Sequence, residues 1–297
     1  MQQYKSAWRE SSVVADTLDV GSPSLALVIG QPIEHSLSPM IYNTAFAIDN
    51  LNWKYSALEV SKEQAQDFIN DIREDKYVRG VSVTMPLKEA VIPYLDQLTE
   101  AANELKAVNC IYWEEETLTG HNTDGDGFIN SLIADTGEGI PGSVFAVVGA
   151  GGAARSVIRS LRQASAEKII VINRNHEKAE FAAELGGENA EVGTLDSVTN
   201  CKYVINATSI GMAGTDNEGM LPLAARYLTS SQTVIDLVYN PIETPLLLEA
   251  RKKGATAISG IGMLVHQAAL QYQLWTGNNA PIEKIQKEVI NIISKNN

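Results

Sequence analysis

"VFAVVGAGGAARS", Val144–Ser156, is an apolar run that stops at three close glycines and continues into small residues. Gly149, Gly151 and Ala154 give the spacing G-x-G-x-x-A directly behind a strand-like run and at the start of a helical one. Small side chains let the backbone approach a pyrophosphate, and the start of a helix offers unpaired N–H donors and the positive end of its dipole. A tight turn can satisfy the bare spacing. The strand before it and the helix after it favour a dinucleotide site, with Gly149, Ala150, Gly151, Gly152 and Ala153 against the cofactor.

The same alternation continues downstream. "KIIVIN", "KYVINAT", "TVIDLVY" and "ATAISG" are short runs rich in Val and Ile, as strands buried on both faces require. "AARSVIRSLRQA", "EKAEFAAEL", "LPLAARYL" and "PLLLEARKK" separate them as helices. Residues 125–260 therefore read as a doubly wound parallel sheet, a Rossmann-type α/β domain. Its second strand ends in "VINRNHEKAE", without the acid that grips the ribose of NAD. Arg174 has the planar fork suited to a 2′-phosphate, with Asn173 and Lys178 beside it, which favours NADP. The bland alternative for Arg174 is an ordinary surface cation.

The first half is also α/β. "LALVIG", "WKYSALEV" and "RGVSVTM" read as strands, and "VNCIYW" with "TLTGHNTD" as a hairpin turned at the acidic "EEE". The expected helices are "SPMIYNTAFAIDN", with Ser38 as N-cap and Pro39 behind it, "SKEQAQDFINDI", where Ser61 and Gln64 form a capping box, "LKEAVIPYLDQL" and "EAANELKA". Two helices after Gly260 are expected to return to this first lobe. The division is then a polar extension at 1–22, a substrate-binding domain of 23–124 plus 261–297, and the nucleotide domain at 125–260, with the ligand in a cleft between the lobes.

Composition narrows the partners. The chain has 297 residues, 44% of them hydrophobic, and a formal net charge of -13. So acidic a surface repels phosphate backbones and anionic lipid, which argues against nucleic acid and membrane and for a small-molecule substrate. Two cysteines outside any CxxC pair, and four histidines without ligand spacing, argue for a reducing cytoplasm and against a metal site. No secretory h-region or long apolar span is legible.

Several polar residues stand where strands end. Ser36 and Ser38 lie two apart after "LALVIG"; Ser38 could equally serve only as a cap. "KAVNC" carries Asn109, and "GHNTDGDG" carries Asn122, Thr123 and Asp124; the bland alternatives are a Gly-rich acidic turn without chemistry and a calcium loop, the latter a poor fit because the twelve-residue ligand spacing and the terminal Glu are missing. In "VSVTMPLKEAV", Pro86 cannot continue a ladder, so it ends the strand and fixes Lys88 at a strand-to-helix corner. No nucleophile elbow occurs. A dinucleotide, a lysine and an aspartate suit hydride transfer to a carbonyl whose oxygen needs a proton donor.

At this point the chain resembles the shikimate dehydrogenases. "SLSPMIYN", "SVTMPLKEAV", "AVNC", "GHNTDGDG", "VVGAGGAARS", "INRN", "INATSIGM", "DLVYNPIETPLL" and "GIGMLVHQA" follow one another in that family's order, over about residues 24–290. The resemblance implies NADPH-dependent reduction of 3-dehydroshikimate to shikimate in aromatic amino-acid precursor synthesis, by a monomer or homodimer in the cytoplasm. It implies Lys88 and Asp124 as the catalytic pair, and Ser36, Ser38 and Tyr239 on the substrate carboxylate. It further implies Ser82, Thr84, Asn109 and Gln267 near the ring hydroxyls and carbonyl, and Thr208, Ser209, Gly260 and Met263 near the ribose and nicotinamide. Ser82 stands where the family commonly has Asn, and Cys110 where Thr is frequent. NAD-dependent quinate/shikimate oxidation and a non-catalytic NADP-binding module are the rival functions.

Overall fold

The computed structural model describes residues 22–296 except 35 and 76. Of the expected N-terminal extension, all but Ser22 lies outside the described residues. Contacts divide the chain into two units, one running to Thr123 and taking up Ala268–Pro281, the other comprising Asp124–Gln267 and the last helix.

In the first unit the strands are β1 (Ser24–Gly30), β2 (Trp53–Glu59), β3 (Val78–Val83), β4 (Gln97–Leu98), β5 (Cys110–Glu114) and β6 (Thr117–His121). They form one mixed sheet in the order β2-β1-β3-β5-β6-β4. β1 pairs in parallel with β2 and β3, while β3–β5 and β5–β6 are antiparallel, the latter being the expected hairpin. The side-chain period of two sorts the sheet's faces. Leu25, Leu27 and Ile29 with Val81 and Val83 join Phe68, Ile69 and Ile72 in one core. Those last three lie on α2 (Ala65–Glu74), preceded by the Ser61–Gln64 capping box. The alternate residues of β3, Gly80 and Ser82, therefore face the other side.

That other side is aromatic. Tyr42 and Phe46 come from α1 (Ser38–Ile48), and Tyr42 stacks on Tyr55 of β2 at 4.4 Å between ring centroids. Trp275 packs against Tyr42 at 4.9 Å and donates from Nε1 to the Ile111 carbonyl at 3.2 Å. A Cβ on Gly80 would run into the Trp275 indole, so glycine there lets the ring lie on the strand.

Two local expectations change in this unit. Leu37, not Ser38, holds the N-cap position of α1; Ser38 is already helical, and its N–H donates back to Ser36 Oγ at 3.3 Å. "LKEAVIPYLDQL" forms turns, one 3-10 segment, Ile92–Tyr94, and the short strand β4 instead of an α-helix. The Lys88 carbonyl, which helix formation would commit to Ile92, accepts from Val108 N at 2.8 Å, and Pro93 has no N–H to offer. "EAANELKA" does form a helix, α3 (Glu100–Leu105), capped by Thr99.

In the second unit, α4 (Asp124–Thr136) leads into β7 (Val144–Val148), α5 (Gly152–Gln163), β8 (Lys168–Ile172), α6 (His176–Glu184) and β9 (Ala190–Val192). β10 (Tyr203–Asn206), β11 (Thr233–Asp236), α7 (Pro245–Lys252) and β12 (Thr256–Ser259) follow, then α8 (Ile261–Thr276) and α9 (Ile282–Asn296). The sheet order β12-β11-β10-β7-β8-β9 is parallel throughout, the doubly wound order of a Rossmann domain. Phe145, Val147, Ile169 and Val171 enter the core on one face, and Ala146, Val148, Ile170 and Ile172 the core on the other. "LPLAARYL" is not the expected helix. Its buried residues, Leu223 and Leu228, are five apart, off any helical stripe, and only Ala225–Tyr227 makes a 3-10 turn. α8 contributes to both units, its residues to Gln267 counting with the second and those from Ala268 with the first.

Candidate active site

Within the first unit, the predicted residues cluster where β1 and β3 end. The Thr84 N–H donates to Ile29 O at 2.9 Å, and Gln31 N–H donates to Met85 O at 3.0 Å, tying the two exits together. A Cβ on Gly30 would lie 2.8 Å from the Met85 carbonyl oxygen, so this approach needs glycine. Beyond it, Leu87 N–H donates to Thr84 O at 2.9 Å. With its carbonyl held by Val108, half-buried Lys88 sits on a fixed piece of backbone without any helix to support it.

Ser82 and Asn109 belong to one buried network. Asn109 Oδ1 accepts from Thr123 N at 2.9 Å, and its Nδ2 donates to Thr123 Oγ1 at 3.0 Å. The neighbouring Asn122 donates to Ala107 O at 3.0 Å. These bonds set the chain up to Asp124, a buried residue that begins α4. A carboxylate in the first turn of a helix is stabilised by the dipole and the unpaired N–H groups there. The network centres on a residue absent from the sequence reading, Gln271, which donates to Asn109 O and Thr123 Oγ1, both at 3.3 Å. Its Oε1 accepts from Tyr42 OH at 2.9 Å and Ser82 Oγ at 2.6 Å. Tyr55 OH donates to Ser82 Oγ at 2.6 Å. Burial drives the Tyr55 phenol far above its ordinary range, against hydrogen bonds to Ser82 and Ser38. A signal for Gln271 existed: it lies four residues past Gln267, one helical turn on, among the buried Ala268, Tyr272 and Trp275.

Asp124, Tyr239 and Gln267 count with the second unit. Gln267 Nε2 donates to Leu264 O at 2.8 Å. Tyr239 follows β11, and burial raises its phenol pKa. The glycines after Asp124 are packing devices: a Cβ on Gly125 would strike Ser160 and Ser156 of α5, and one on Gly127 would lie 2.6 Å from Gln267 N.

The glycine turn divides into two kinds of position. Gly149 has φ 120°, and its Cβ would lie 2.8 Å from Ala207 O. Folding itself requires glycine there. At Gly151 and Gly152 an added Cβ would meet nothing within 4 Å. No neighbour in the chain demands their smallness, and they sit at the N-terminus of α5, whose cap, Gly151, supplies no side-chain acceptor. Open space over unpaired N–H groups fits a pyrophosphate. At the tip of β8, Asn173 Nδ2 donates to Asn175 O at 2.9 Å, and Asn175 Oδ1 caps α6 through Lys178 N at 2.9 Å. Arg174 and Lys178 are exposed beside it, and the donor set carries no acid, as a 2′-phosphate requires. Asn206 Oδ1 accepts from Thr208 N at 3.1 Å and Thr208 Oγ1 at 2.7 Å, fixing the loop that continues to Ser209. A Cβ on Gly260 would meet the main chain of Leu237, and Met263 packs on the core of this unit.

Three family descriptions match in succession: the shikimate dehydrogenase substrate binding domain at residues 28–111, shikimate / quinate 5-dehydrogenase at 133–239, and the shikimate 5'-dehydrogenase C-terminal domain at 260–290. The shikimate dehydrogenase (NADP(+)) of Bacillus subtilis is 39% identical over 269 residues, 89% of this chain and 95% of that protein. The chain belongs to the shikimate dehydrogenase family. A solved shikimate dehydrogenase in complex with NADP+ is similar with TM-score 0.86 and 35% identity, over 93% of this chain and 99% of that one. The shikimate 5-dehydrogenase of Thermus thermophilus, solved with NADP(H) and shikimate, has TM-score 0.81 and 33% identity, over 91% and 99%. Among the described residues, no helix is long and apolar enough to cross a membrane, and no group of His, Cys, Asp and Glu is placed to hold a metal ion.

Proposed function

We propose that Lys88 and Asp124 carry the proton transfer of this shikimate dehydrogenase family member. The chain is an NADP-dependent oxidoreductase acting on a CH–OH group, converting 3-dehydroshikimate and shikimate reversibly. When bound, NADPH supplies the hydride. Lys88 gives its proton to the carbonyl oxygen during reduction and recovers one from the hydroxyl during oxidation, with Asp124 holding the same hydroxyl. Ser36, Ser38 and Tyr239 hold the substrate carboxylate by hydroxyl donors. Ser82, Thr84, Asn109 and Gln267 hold the ring hydroxyls.

For the cofactor, Gly149 through Ala153 cradle the pyrophosphate and Asn173, Arg174 and Lys178 the 2′-phosphate. Thr208, Ser209, Gly260 and Met263 border the ribose and nicotinamide. In functional terms residues 23–124 with 261–297 form the substrate-binding and catalytic domain, and 125–260 the NADP-binding domain. We place the chain in the cytoplasm and without a nucleic-acid partner, from its net charge of -13 and its two cysteines outside any CxxC pair; a monomer or homodimer is what the family resemblance implies.

The observation that carries this reading is the pinning of Lys88. Its main chain is bonded to Val108 at 2.8 Å, one residue from Asn109, so amine and amide share one short stretch of paired backbone. A four-way assay tests the activity: shikimate and quinate, each with NADP+ and NAD+. The pair shikimate and NADP+ is expected to give the highest kcat/KM; a higher value for quinate, or for NAD+, contradicts the reading.

A further inference from the structure

We propose that Gln271 is a positioning residue that commits the Ser82 hydroxyl to act as an acceptor toward a ring hydroxyl of the substrate. The inference rests on the reading above of Ser82 as a ring-hydroxyl contact. The Asn109 main-chain carbonyl can only accept, so the edge of the Gln271 amide that faces it at 3.3 Å is the NH2 edge. That orientation turns Oε1 toward Tyr42 and Ser82. An amide oxygen also only accepts, so both hydroxyls donate to it. The one Ser82 proton is thereby used at 2.6 Å, and Tyr55 OH, also at 2.6 Å, must donate to Ser82 Oγ. What Ser82, 7% exposed, keeps for a ligand is a lone pair.

A substrate hydroxyl presented there is read by its O–H, whereas a carbonyl or ether oxygen would meet lone pair against lone pair. The buried network places a carboxamide directly behind the Ser82 hydroxyl. The carboxamide reaches in from α8 and acts one bond removed, through Ser82.

The test is a double-mutant cycle on the full chain, reading kcat, KM for shikimate, KM for NADP+ and melting temperature. Ser82→Asn alone crowds the buried network, and Gln271→Ala alone frees the Ser82 proton. Each single change is expected to raise KM for shikimate about tenfold while KM for NADP+ stays unchanged. The double variant returns to within about threefold of wild type, because the asparagine amide occupies the vacated volume. A double variant as impaired as the product of the singles overturns the proposal. Should Gln271→Ala not fold, Gln271→Leu keeps most of the volume but offers no acceptor for the Ser82 proton, and a wild-type KM for shikimate in that variant overturns it equally. Ser82→Ala separates the two layers. An unchanged KM for shikimate there removes Ser82 as a substrate contact, and the proposal with it. A raised KM beside wild-type behaviour of the Gln271 variants overturns the role of Gln271 alone.

Discussion

Asn206 donates from Nδ2 to Oδ1 of Asp236 at 2.8 Å, joining the ends of two neighbouring strands through a pair of fully buried side chains. Thr244 Oγ1 donates to the other carboxyl oxygen at 2.6 Å, and Val238 N–H adds a bond at 3.1 Å. The same Asn206 orients Thr208, so this network supports the floor of the proposed nicotinamide site.

The network predicts a pH dependence of stability. Burial raises the Asp236 carboxyl from its ordinary 3.8 to about 6, against the pull of its hydrogen bonds. Between those values the folded chain holds a proton that the unfolded chain releases, so stability is greatest on the acid side and falls as pH rises toward 6. Asp236→Asn keeps the shape and removes the ionisation. In urea titrations, the stability of this variant relative to wild type should rise from pH 4 to pH 7, by up to about 3 kcal/mol. Parallel stability curves would count against a buried, strained ionisation.

The two kinds of glycine in the turn should respond differently. Gly149→Ala forces a side chain onto a positive φ and against Ala207 O, costing on the order of 1–3 kcal/mol and lowering the melting temperature by several degrees. Gly151→Ala meets no protein atom, so its melting temperature should stay within a degree or two while KM for NADP+ rises at least about tenfold. Thermal melts alongside cofactor kinetics check both. Equal melting temperatures for the two variants would contradict the division.

Arg174→Ala removes an exposed guanidinium from the tip of β8. A charge-assisted bond to a phosphate of about 1.5–3 kcal/mol predicts that KM for NADPH rises roughly ten- to hundredfold while KM for NADH hardly moves. Equal effects on both cofactors would mean that Arg174 does not read the 2′-phosphate.

Much of the second unit was legible because its strands are buried on both faces. Val144–Val148 and Lys168–Ile172 announce themselves as apolar runs, and only the short edge strand Ala190–Val192 escapes. α4 escaped because Gly125 and Gly127 imitate a turn; their smallness serves helix contacts that only the folded chain reveals. "LKEAVIPYLDQL" has helical composition, but the Lys88 carbonyl is claimed by a residue twenty positions on, a long-range bond no local pattern encodes. For the site, the motifs pointed to Ser82, Asn109 and Lys88 individually. Gln271 stayed hidden because a lone glutamine on a helix reads as solvent-facing until Tyr42, Tyr55 and Ser82 are brought around it.

The central claim is that Lys88 is the proton donor and acceptor of the reaction. It is tested most directly by following NADPH formation from shikimate and NADP+ in wild type and in Lys88→Met, with folding confirmed by thermal melts. Loss of a general acid and base predicts a kcat lower by about 10²–10⁴-fold, with KM for NADP+ unchanged. A folded Lys88→Met variant that turns over shikimate at a rate near wild type would contradict the account.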